Sequence, residues 1–280
     1  EQTLSTDFKH EPHKLKHRRS VVSGTASKCY STFFVNGQPP TGFRKNDINM
    51  RYICQTSLGN PDYVYATMFD LEYGIPIYSA YYVTTAQAGQ FGTVNRTGGW
   101  HQEKRGHLLP AATFSFTKNH LRSTFTYTNA VPQYAAFNSG QWAKNERKIR
   151  EYATNTCSVQ GGTLYLLTGI SEVRVQIQRG QLVANLPPGL PNRIENQPNI
   201  VIPNSMWTAG CCVDANGAVQ GAFALIGNND QNTNLIHMSQ VKVRVIQSFL
   251  RVGVNGAGGR AVRLFPGNSG CSYVANHVNV

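Results

Sequence analysis

A histidine and several polar residues downstream of it are suited to one kind of chemistry. The triplet Arg105-Gly-His107 is followed by Asn138, Glu146 and Arg150. Phosphodiester hydrolysis needs a base that activates water, a cation that offsets phosphate charge, and donors for the remaining oxygens. Imidazole suits the first task at neutral pH, an amide oxygen can bind Mg²⁺, and guanidinium groups donate to phosphate. These residues therefore form a candidate site for a phosphate-ester reaction.

The downstream residues need a rigid element to hold them, and the sequence predicts a helix from Ser139 to about Asn155. The segment has good helix formers and no proline, and Asn138 or Ser139 can cap its start. At about 100° per residue, Glu146 and Arg150 share a face of this helix, and Asn138 lies near the same side. One helix thus offers an amide oxygen, a carboxylate and a guanidinium together.

Positive charge is concentrated in the same part of the chain. The protein has a formal net charge of +12, and residues 96–150 contain nine Lys or Arg against two acids. Clustered cations bind nucleic acids by releasing counterions from the phosphates, although a basic surface can also serve solubility alone. The side chains predicted to contact nucleic acid are Lys104, Lys118, Arg122, Lys144 and Arg147.

The six cysteines favour disulfide bonds over a metal site, because they are dispersed and show no C-x-x-C spacing. Cys211 and Cys212 are adjacent and are expected to bond elsewhere, but the pairing itself is not predicted. The glycosylation candidate Asn95, in Asn-Arg-Thr, agrees with an oxidising, extracellular setting. No apolar run is long enough for a membrane span. The disulfide candidates are Cys29, Cys54, Cys157, Cys211, Cys212 and Cys271.

Short β-prone segments separated by turn residues predict an α+β fold with a central antiparallel sheet, flanked by helices and long loops. The pair Asn216-Gly217 predicts a type I′ hairpin between the last two strands. Residues 240–250 fit either a second helix or a strand, and residues 178–205 are predicted to be a long loop. Strands are predicted at 63–69, 75–83, 123–127, 163–168, 173–177, 206–213 and 221–226.

One domain is predicted for residues 29–280, after a mobile basic arm at residues 1–28. The arm is polar and lacks sustained periodicity, and it opens without an apolar signal region, as expected of a mature or trimmed chain. Two other motifs are predicted to be turns. Gly267-Asn-Ser-Gly-Cys271 lacks the glycine of a serine-hydrolase motif, and Asp214-Ala-Asn-Gly217 lacks the later ligands of a calcium loop.

The spacing of the motifs resembles that of the DNA/RNA non-specific endonuclease family, whose members carry a ββα-metal (His-Me finger) active site. Arg105-Gly-His107 is followed by T-N-x-x-P-Q at 128–133, by N-x-G-x-W at 138–142, and by a glutamate eight residues after Asn138. The similarity extends from about Cys29 to Cys271. Five segments resemble the animal endonuclease domain-containing 1 branch, which is secreted and disulfide-bonded: 29–40, 53–55, 75–80, 164–169 and 207–212.

The resemblance implies one Mg²⁺ cofactor, with Mn²⁺ or Ca²⁺ as substitutes, and DNA and RNA partners bound through the phosphate backbone. His107 would be the general base, and Asn138 would be the direct metal ligand. A carboxylate acting through metal-bound water, two arginines that stabilise phosphate charge, and a supporting asparagine complete the implied set: Glu146, Arg105, Arg150 and Asn129.

Position 104 departs from the family pattern, because the residue before Arg-Gly-His is usually aspartate and here is Lys104. A cation there disfavours the protonated form of His107 and removes a neighbour that helps to hold the arginine and the histidine. We expect the efficiency of hydrolysis to change more than the type of reaction.

The sequence therefore predicts a secreted, sugar-non-specific endonuclease that hydrolyses DNA and RNA. One alternative is a nuclease-fold protein of weak or no activity that binds polyanions such as nucleic acid, glycosaminoglycan, matrix or a mineral surface. The joint presence of His107, Asn138, Glu146 and Arg105 favours hydrolysis over this alternative.

Overall fold

The computed structural model contains fourteen strands within the residues that it describes. The described residues are 19–22, 27–43, 47–56, 62–95, 105–255 and 260–274. For Arg19–Val22, Asp47, Arg105 and residues 254–255 only the main chain is described. The strands are β1 (Arg19–Val22), β2 (Met50–Thr56), β3 (Tyr63–Asp70), β4 (Ile75–Val83), β5 (Arg105–His107), β6 (Ala130–Pro132), β7 (Thr163–Ser171), β8 (Arg174–Gln178), β9 (Gln181–Asn185), β10 (Arg193–Ile194), β11 (Gln197–Val201), β12 (Ser205–Val213), β13 (Val219–Asn228) and β14 (Ser239–Val241).

Eight of these strands form one sheet, in the order β1-β2-β3-β4-β7-β12-β13-β14. Every neighbouring pair is antiparallel. The remaining strands pair as β5-β6, β8-β9 and β10-β11. All nine residues of β12 are buried, which is the pattern of a strand that is covered on both faces. The predicted α+β fold with a central antiparallel sheet is confirmed.

Helices pack against two apolar clusters formed by alternate residues of the sheet. Ala224 and Ile226 of β13 belong to one cluster, whereas Phe223 and Leu225 belong to the other. Since successive strand residues point to opposite faces, the clusters lie on opposite sides of the sheet. The helices are α1 (Lys28–Ser31), α2 (Thr85–Ala88), α3 (Lys118–Ser123), α4 (Ala143–Tyr152), α5 (Val243–Asn255) and α6 (Gly270–Tyr273), with short 3-10 turns at Val35–Gly37, Asp47–Asn49, Ala111–Phe114, Tyr127–Asn129 and Thr233–Leu235.

The helix predicted at 139–155 is present as α4 with a π-helical segment on either side, but it is interrupted near its start at Gly140, whose φ and ψ of −97° and −110° are not helical. One π-helical turn, Phe137–Trp142, precedes α4, and another, Ala153–Cys157, follows it. The apolar stripe of α4 includes Ile149 and Tyr152, which join the cluster that contains Phe223. Burial of each such side chain contributes about 1.5–3 kcal/mol, so this face fixes the helix on the sheet.

Three disulfide bonds connect the cysteines, and the described residues include no free cysteine. Cys211 and Cys212 do not bond to each other, which confirms the expectation for this adjacent pair. As neighbours on β12, they point to opposite faces of the sheet and join different apolar clusters. The bonds are Cys29–Cys54, Cys157–Cys212 and Cys211–Cys271.

The strand predicted at 123–127 is wrong, because hydroxyl groups there complete helical turns. Ser123 Oγ donates to the carbonyl oxygen of His120 at 2.6 Å. Thr124 Oγ1 donates in the same way to the carbonyl of Leu121 at 2.8 Å. Serine and threonine side chains that bond the backbone in this way compete with strand pairing. The segment therefore ends α3 and leads into a 3-10 turn.

The predicted type I′ turn is also wrong, although the hairpin that it joins is present. At 214–218 only Gly217 has a positive φ, of 83°, and the side chain of Asp214 accepts from the amides of Asn216 and Ala218. A type I′ turn needs two positive φ angles. That condition is met between β8 and β9, where Arg179 and Gly180 have φ values of 50° and 77°.

The region predicted to be a long loop at 178–205 contains β9, β10 and β11, so this prediction is wrong as well. Residues 240–250, predicted as either a helix or a strand, contain both. The strand β14 ends at Val241, and the helix α5 begins at Val243.

Part of the segment predicted as a mobile arm belongs to the sheet, since Arg19–Val22 pairs with β2. Residues 1–18 and 23–26 lie outside the described residues, and the division into arm and domain stays a prediction. Among the described helices, none has the length and hydropathy that crossing a membrane requires.

Candidate active site

Two short strands and a helix carry the residues singled out by the sequence. β5 holds His107 at its end and pairs with β6, so that His107 lies opposite Ala130. The chain then passes from β6 through the first π turn into α4. This β-β-α succession has the histidine on its first strand and Asn138, Glu146 and Arg150 on its helical part. It is the arrangement that the resemblance implied for the fold.

Asn129 holds the segment that follows His107. Its amide nitrogen donates to the carbonyl oxygens of Leu109 at 3.0 Å and Thr124 at 2.9 Å. Its amide oxygen accepts from the backbone of Leu109 at 2.7 Å and from the hydroxyl of Ser79 at 3.2 Å. The side chain is fully buried, and all its hydrogen-bonding capacity is used within the protein. Asn129 is therefore a positioning residue.

Gly106 is required by a close approach of Gln133. A Cβ atom at position 106 would lie 1.9 Å from the side-chain amide of Gln133, which is itself fully buried. Real Cβ atoms do not approach that closely, so any larger residue displaces either the glutamine or β5. The glycine of Arg-Gly-His and the glutamine of T-N-x-x-P-Q thus form one packing unit beside His107.

Asn229 fixes the connection between β6 and the first π turn, although no sequence pattern marks this residue. Its amide nitrogen donates to the carbonyls of Pro132 and Pro203, both at 3.0 Å. Its amide oxygen accepts from the backbone of Tyr134 at 3.0 Å. Because Asn229 follows β13 directly, these bonds tie the candidate site to the end of the main sheet.

The ring of His107 is oriented by an aromatic neighbour. It meets Phe125 edge to face, with ring centroids 4.7 Å apart and planes at 90°. The residue is half-buried, and its Nε2 atom is shielded from solvent. Such contacts restrict rotation about the side-chain bonds and hold an imidazole in one direction.

Asn138 lies in the π-helical segment that precedes α4, the helix that carries Glu146. This segment is interrupted at Gly140, whose φ and ψ of −97° and −110° are not helical, so ideal helix geometry does not relate the direction of Asn138 to that of Glu146. The amide of Asn138 is half-buried, and its backbone nitrogen donates to Tyr134 at 2.9 Å. The amide and the carboxylate therefore lie on consecutive helical segments of the same β-β-α unit, on either side of Gly140.

Glu146 is a half-buried carboxyl group beside a cation. Burial raises its pKa from an ordinary value of 4.5 to about 7, while Arg150 lowers the pKa. The indole of Trp142 also lowers it, although its N–H does not reach full hydrogen-bond geometry. Arg150 interacts with the Glu146 carboxylate through its positive charge. Arg147, by contrast, pairs with a different carboxylate, and its Nε atom lies 3.8 Å from Glu151 Oε1. The carboxyl group therefore changes charge near neutral pH.

Arg150 offers a donor that the described residues leave unused. Its Nη1 atom is buried and has no acceptor among them. Burial lowers the pKa of this guanidinium and the Glu146 carboxylate raises it, but an arginine stays charged at neutral pH. A buried, charged donor without an acceptor is costly, and an anionic ligand would satisfy it.

Tyr81 lies beneath this pair and is fully buried in the sheet. Its hydroxyl group contacts Thr168 Oγ1 at 3.1 Å, and Thr168 contacts Thr208 Oγ1 at 3.0 Å. Burial raises the pKa of Tyr81 above its ordinary range, and the charges of Glu146 and Arg150 both act on it. The helix face with the carboxylate and the guanidinium therefore rests on a buried row of hydroxyl groups.

The cations predicted to contact nucleic acid are only partly described. Lys118 and Arg122 are exposed on α3, and Lys144 and Arg147 are exposed on α4. Lys104 and the side chain of Arg105 lie outside the described residues. The glycosylation candidate Asn95 is exposed. Within the described residues no three His, Cys, Asp or Glu side chains cluster as a metal site would require.

Comparisons with known proteins bear on this arrangement. A chain in the crystal structure of the EndoG/EndoGI complex, which concerns the mechanism of EndoG inhibition, is similar with a TM-score of 0.49 and 15% sequence identity, over 70% of this chain and 84% of that chain. No curated protein matches the sequence significantly. A model of the DNA/RNA non-specific endonuclease family matches residues 102–256, which is more than half of the protein and includes β5, β6 and α4. The chain therefore belongs to the DNA/RNA non-specific endonuclease family.

Proposed function

We propose that this protein is a secreted endonuclease that hydrolyses phosphodiester bonds in DNA and RNA, with one Mg²⁺ and His107 as general base. The observation that carries the proposal is the β-β-α unit, which has His107 on its first strand and both Asn138 and Glu146 on the helical part that follows its second strand. A histidine in this position can accept a proton from the attacking water.

The arginines have the complementary task of neutralising phosphate charge. Arg150 has a buried, unused donor, which suits a non-bridging phosphate oxygen. Arg105 precedes His107 by two residues and is assigned the same task from the family pattern. The exposed cations of α3 and α4 would hold the flanking phosphates, which is a form of binding that does not read the base sequence.

The donor set fits a hard divalent cation. The amide oxygen of Asn138 is a ligand of the type that Mg²⁺ accepts, and Mg²⁺ usually keeps several waters alongside few protein ligands. Members of this family generally depend on a divalent metal ion. A cation near Glu146 would also lower the pKa of its carboxyl group, which burial alone raises to about 7. The bound ion would supply charge stabilisation at the phosphate.

Secretion is supported by the disulfide bonds. Three of them are present in the described part of the chain, and such bonds persist in oxidising compartments. The exposed position of Asn95 permits a glycan there. Membership of the animal, endonuclease domain-containing 1 branch stays a prediction from the sequence.

A cleavage assay tests the proposal. Supercoiled plasmid and RNA are incubated with the protein in Mg²⁺, in Mn²⁺, in Ca²⁺ and in EDTA. We expect both substrates to be cut in Mg²⁺ and neither in EDTA, and we expect His107→Asn to lose at least about a hundredfold in rate. His237→Asn is the matched control, because His237 has a φ of 47° that asparagine tolerates.

Two results would overturn the proposal. Intact substrates in every metal would favour the alternative, a polyanion-binding protein of nuclease fold. Cleavage that persists in His107→Asn would refute the assignment of the base, even if the protein is a nuclease.

A further inference from the structure

A cleft of about 780 Å³ lies beside the candidate active site, and none of the residues assigned to the reaction lines it. Its wall includes Tyr127, Thr128 and Ala130, which come immediately before and after Asn129. Ala130 is the cross-strand partner of His107. Directly opposed residues in an antiparallel pair are about 5 Å apart, so the cleft reaches within one residue of the histidine.

The lining of the cleft combines aromatic, amide and cationic groups. Phe69 and Tyr127 contribute two half-buried aromatic rings. Asn196 and Asn199 contribute exposed amides on and beside β11. Arg51 is the one cation among the lining residues that the structure describes, and none of those residues is acidic. Rings, amide donors and acceptors, and one positive charge are the groups that bind a planar, polar, anionic ligand.

The walls of the cleft are held in place by the fold. Arg51 Nη1 donates to the carbonyl oxygens of Ile48 at 3.1 Å and Met50 at 2.9 Å, which fixes the guanidinium at the rim. β11 is attached to the turn between β3 and β4 through the Val201 amide, which donates to Tyr73 at 2.9 Å. Gly74 in that turn has a φ of 67° and passes so close to β11 that a Cβ would lie 2.4 Å from the Asn199 carbonyl oxygen. A wall supported in this way is preformed for a ligand.

We infer that this cleft binds a nucleobase of the substrate strand, with Arg51 on the neighbouring phosphate, one step along the strand from the phosphate at His107. The inference rests on the proposed function for the identity of the ligand. The volume of the cleft lies within the range of about 300–1,000 Å³ that small-molecule sites occupy. Stacking of a base on aromatic rings tolerates any sequence, and amide side chains can donate to or accept from any base edge.

A binding experiment in EDTA tests the cleft without cleavage. Fluorescence anisotropy measures the Kd of the full chain for a short labelled oligonucleotide and for the same oligonucleotide with abasic sites throughout. We expect the base-bearing strand to bind about tenfold more tightly, since stacking on one or two rings contributes that much. Tyr127→Leu and Asn199→Ala should each reduce the ratio to about twofold or less.

Arg51→Gln separates the phosphate contact from the base contact. It should weaken both oligonucleotides by a similar factor of about three or more, because each retains its phosphates. Arg179→Gln is the matched control, as it removes one exposed positive charge at the turn between β8 and β9, outside the cleft. We expect this control to change either Kd less than twofold.

The outcomes distinguish this inference from the proposed function. Equal affinity for the two oligonucleotides, or a ratio that survives both Tyr127→Leu and Asn199→Ala, overturns the cleft as a base site whatever the cleavage assay shows. A ratio that depends on the cleft, together with no cleavage in any metal, supports the cleft and refutes hydrolysis. If Tyr127→Leu fails to fold by thermal melting, the exposed Asn199 carries the test.

Discussion

The side chain of Asn129 binds both polar backbone atoms of Leu109. Leu109 N donates to Asn129 Oδ1 at 2.7 Å, and the Leu109 carbonyl accepts from Asn129 Nδ2 at 3.0 Å. Leu109 lies two residues after His107, so one amide determines the direction in which the chain leaves the histidine. An aspartate has no donor and a leucine has neither group, and therefore neither can replace both bonds.

Asn129→Ala should damage stability and activity together. The change removes four hydrogen bonds from buried groups, and we expect the free energy of unfolding to fall by about 2–4 kcal/mol. The cleavage rate should fall more than tenfold at temperatures where the variant is folded. Urea unfolding and the plasmid assay measure the two effects. Asn185→Ala, at an exposed asparagine, is the control, and a stability loss no larger than that of the control would contradict the role of Asn129.

Gly106→Ala should be rescued by a second change. The added methyl group would lie 1.9 Å from Gln133, and we expect a loss of about 1–3 kcal/mol from overpacking. In the background Gln133→Ala the same substitution should cost much less, because the space is then open. A double-mutant cycle by urea unfolding measures this coupling. Gly89→Ala is the control, since its Cβ would meet nothing closer than 3.8 Å. Additive effects of the two changes would refute the contact.

The pH dependence of stability should report on Glu146. Its pKa is about 7 in the folded protein against an ordinary 4.5, so folding favours the protonated carboxyl. The stabilisation from that proton is complete below about pH 4.5 and is lost as the pH rises through about 7. Glu146→Gln removes the titration, and at about pH 8 it should exceed the wild type by about 1–3 kcal/mol in free energy of unfolding.

Urea unfolding in EDTA between about pH 4 and pH 8 measures the difference. Glu151→Gln is the matched control, because Glu151 is exposed and its pair with Arg147 is expected to be worth less than about 1 kcal/mol. An unchanged pH profile in Glu146→Gln would show that the carboxyl group titrates normally. Cleavage by Glu146→Gln should fall at all pH values, since the carboxylate is assigned to the reaction.

Removal of the bond Cys157–Cys212 should lower activity more than removal of Cys29–Cys54. Each double alanine variant is expected to lose about 2–5 kcal/mol of stability. Cys157 is the last residue of the π-helical segment that follows α4 directly. Loss of the disulfide bond therefore frees the end of the helix that carries Glu146 and Arg150. We expect kcat to fall in the first variant and to stay within about twofold in the second, when both are assayed below their melting temperatures. Equal kcat values would contradict this.

The sequence predicted those elements in which local pattern and packing agree. β4 has the predicted bounds, because its run of β-branched and aromatic residues is buried as a continuous strand. The helix formers, cap candidates and spacing of this segment predict one helix for Asn138, Glu146 and Arg150. Glu146 and Arg150 do lie on α4, whereas Asn138 lies before the interruption at Gly140. The disulfide pairing was not predictable, because it depends on which face of β12 each cysteine occupies.

Other features depend on contacts between residues that are distant in the sequence. The bond from Tyr134 to Asn229 joins positions 95 residues apart. The π turn at Phe137–Trp142 shifts the hydrogen-bond pattern by one residue, and residue periodicity does not record such a shift. The segment at 123–127 has strand-forming residues, but its hydroxyl groups bond the backbone of the preceding helix, and these bonds decide the conformation.

The neighbouring residues Cys211 and Cys212 make correct disulfide formation depend on the conditions of oxidation. In the unfolded chain their thiols are nearly equivalent, and either can react with Cys157 or Cys271 by thiol-disulfide exchange. Once β12 is paired within the sheet, one thiol faces each layer, and a swapped set of partners would require a segment to pass through the sheet. Oxidation before β12 has entered the sheet can therefore join the wrong partners, which must be exchanged before the sheet forms. Preparation with a disulfide isomerase should accordingly yield more active protein than rapid air oxidation of denatured chains.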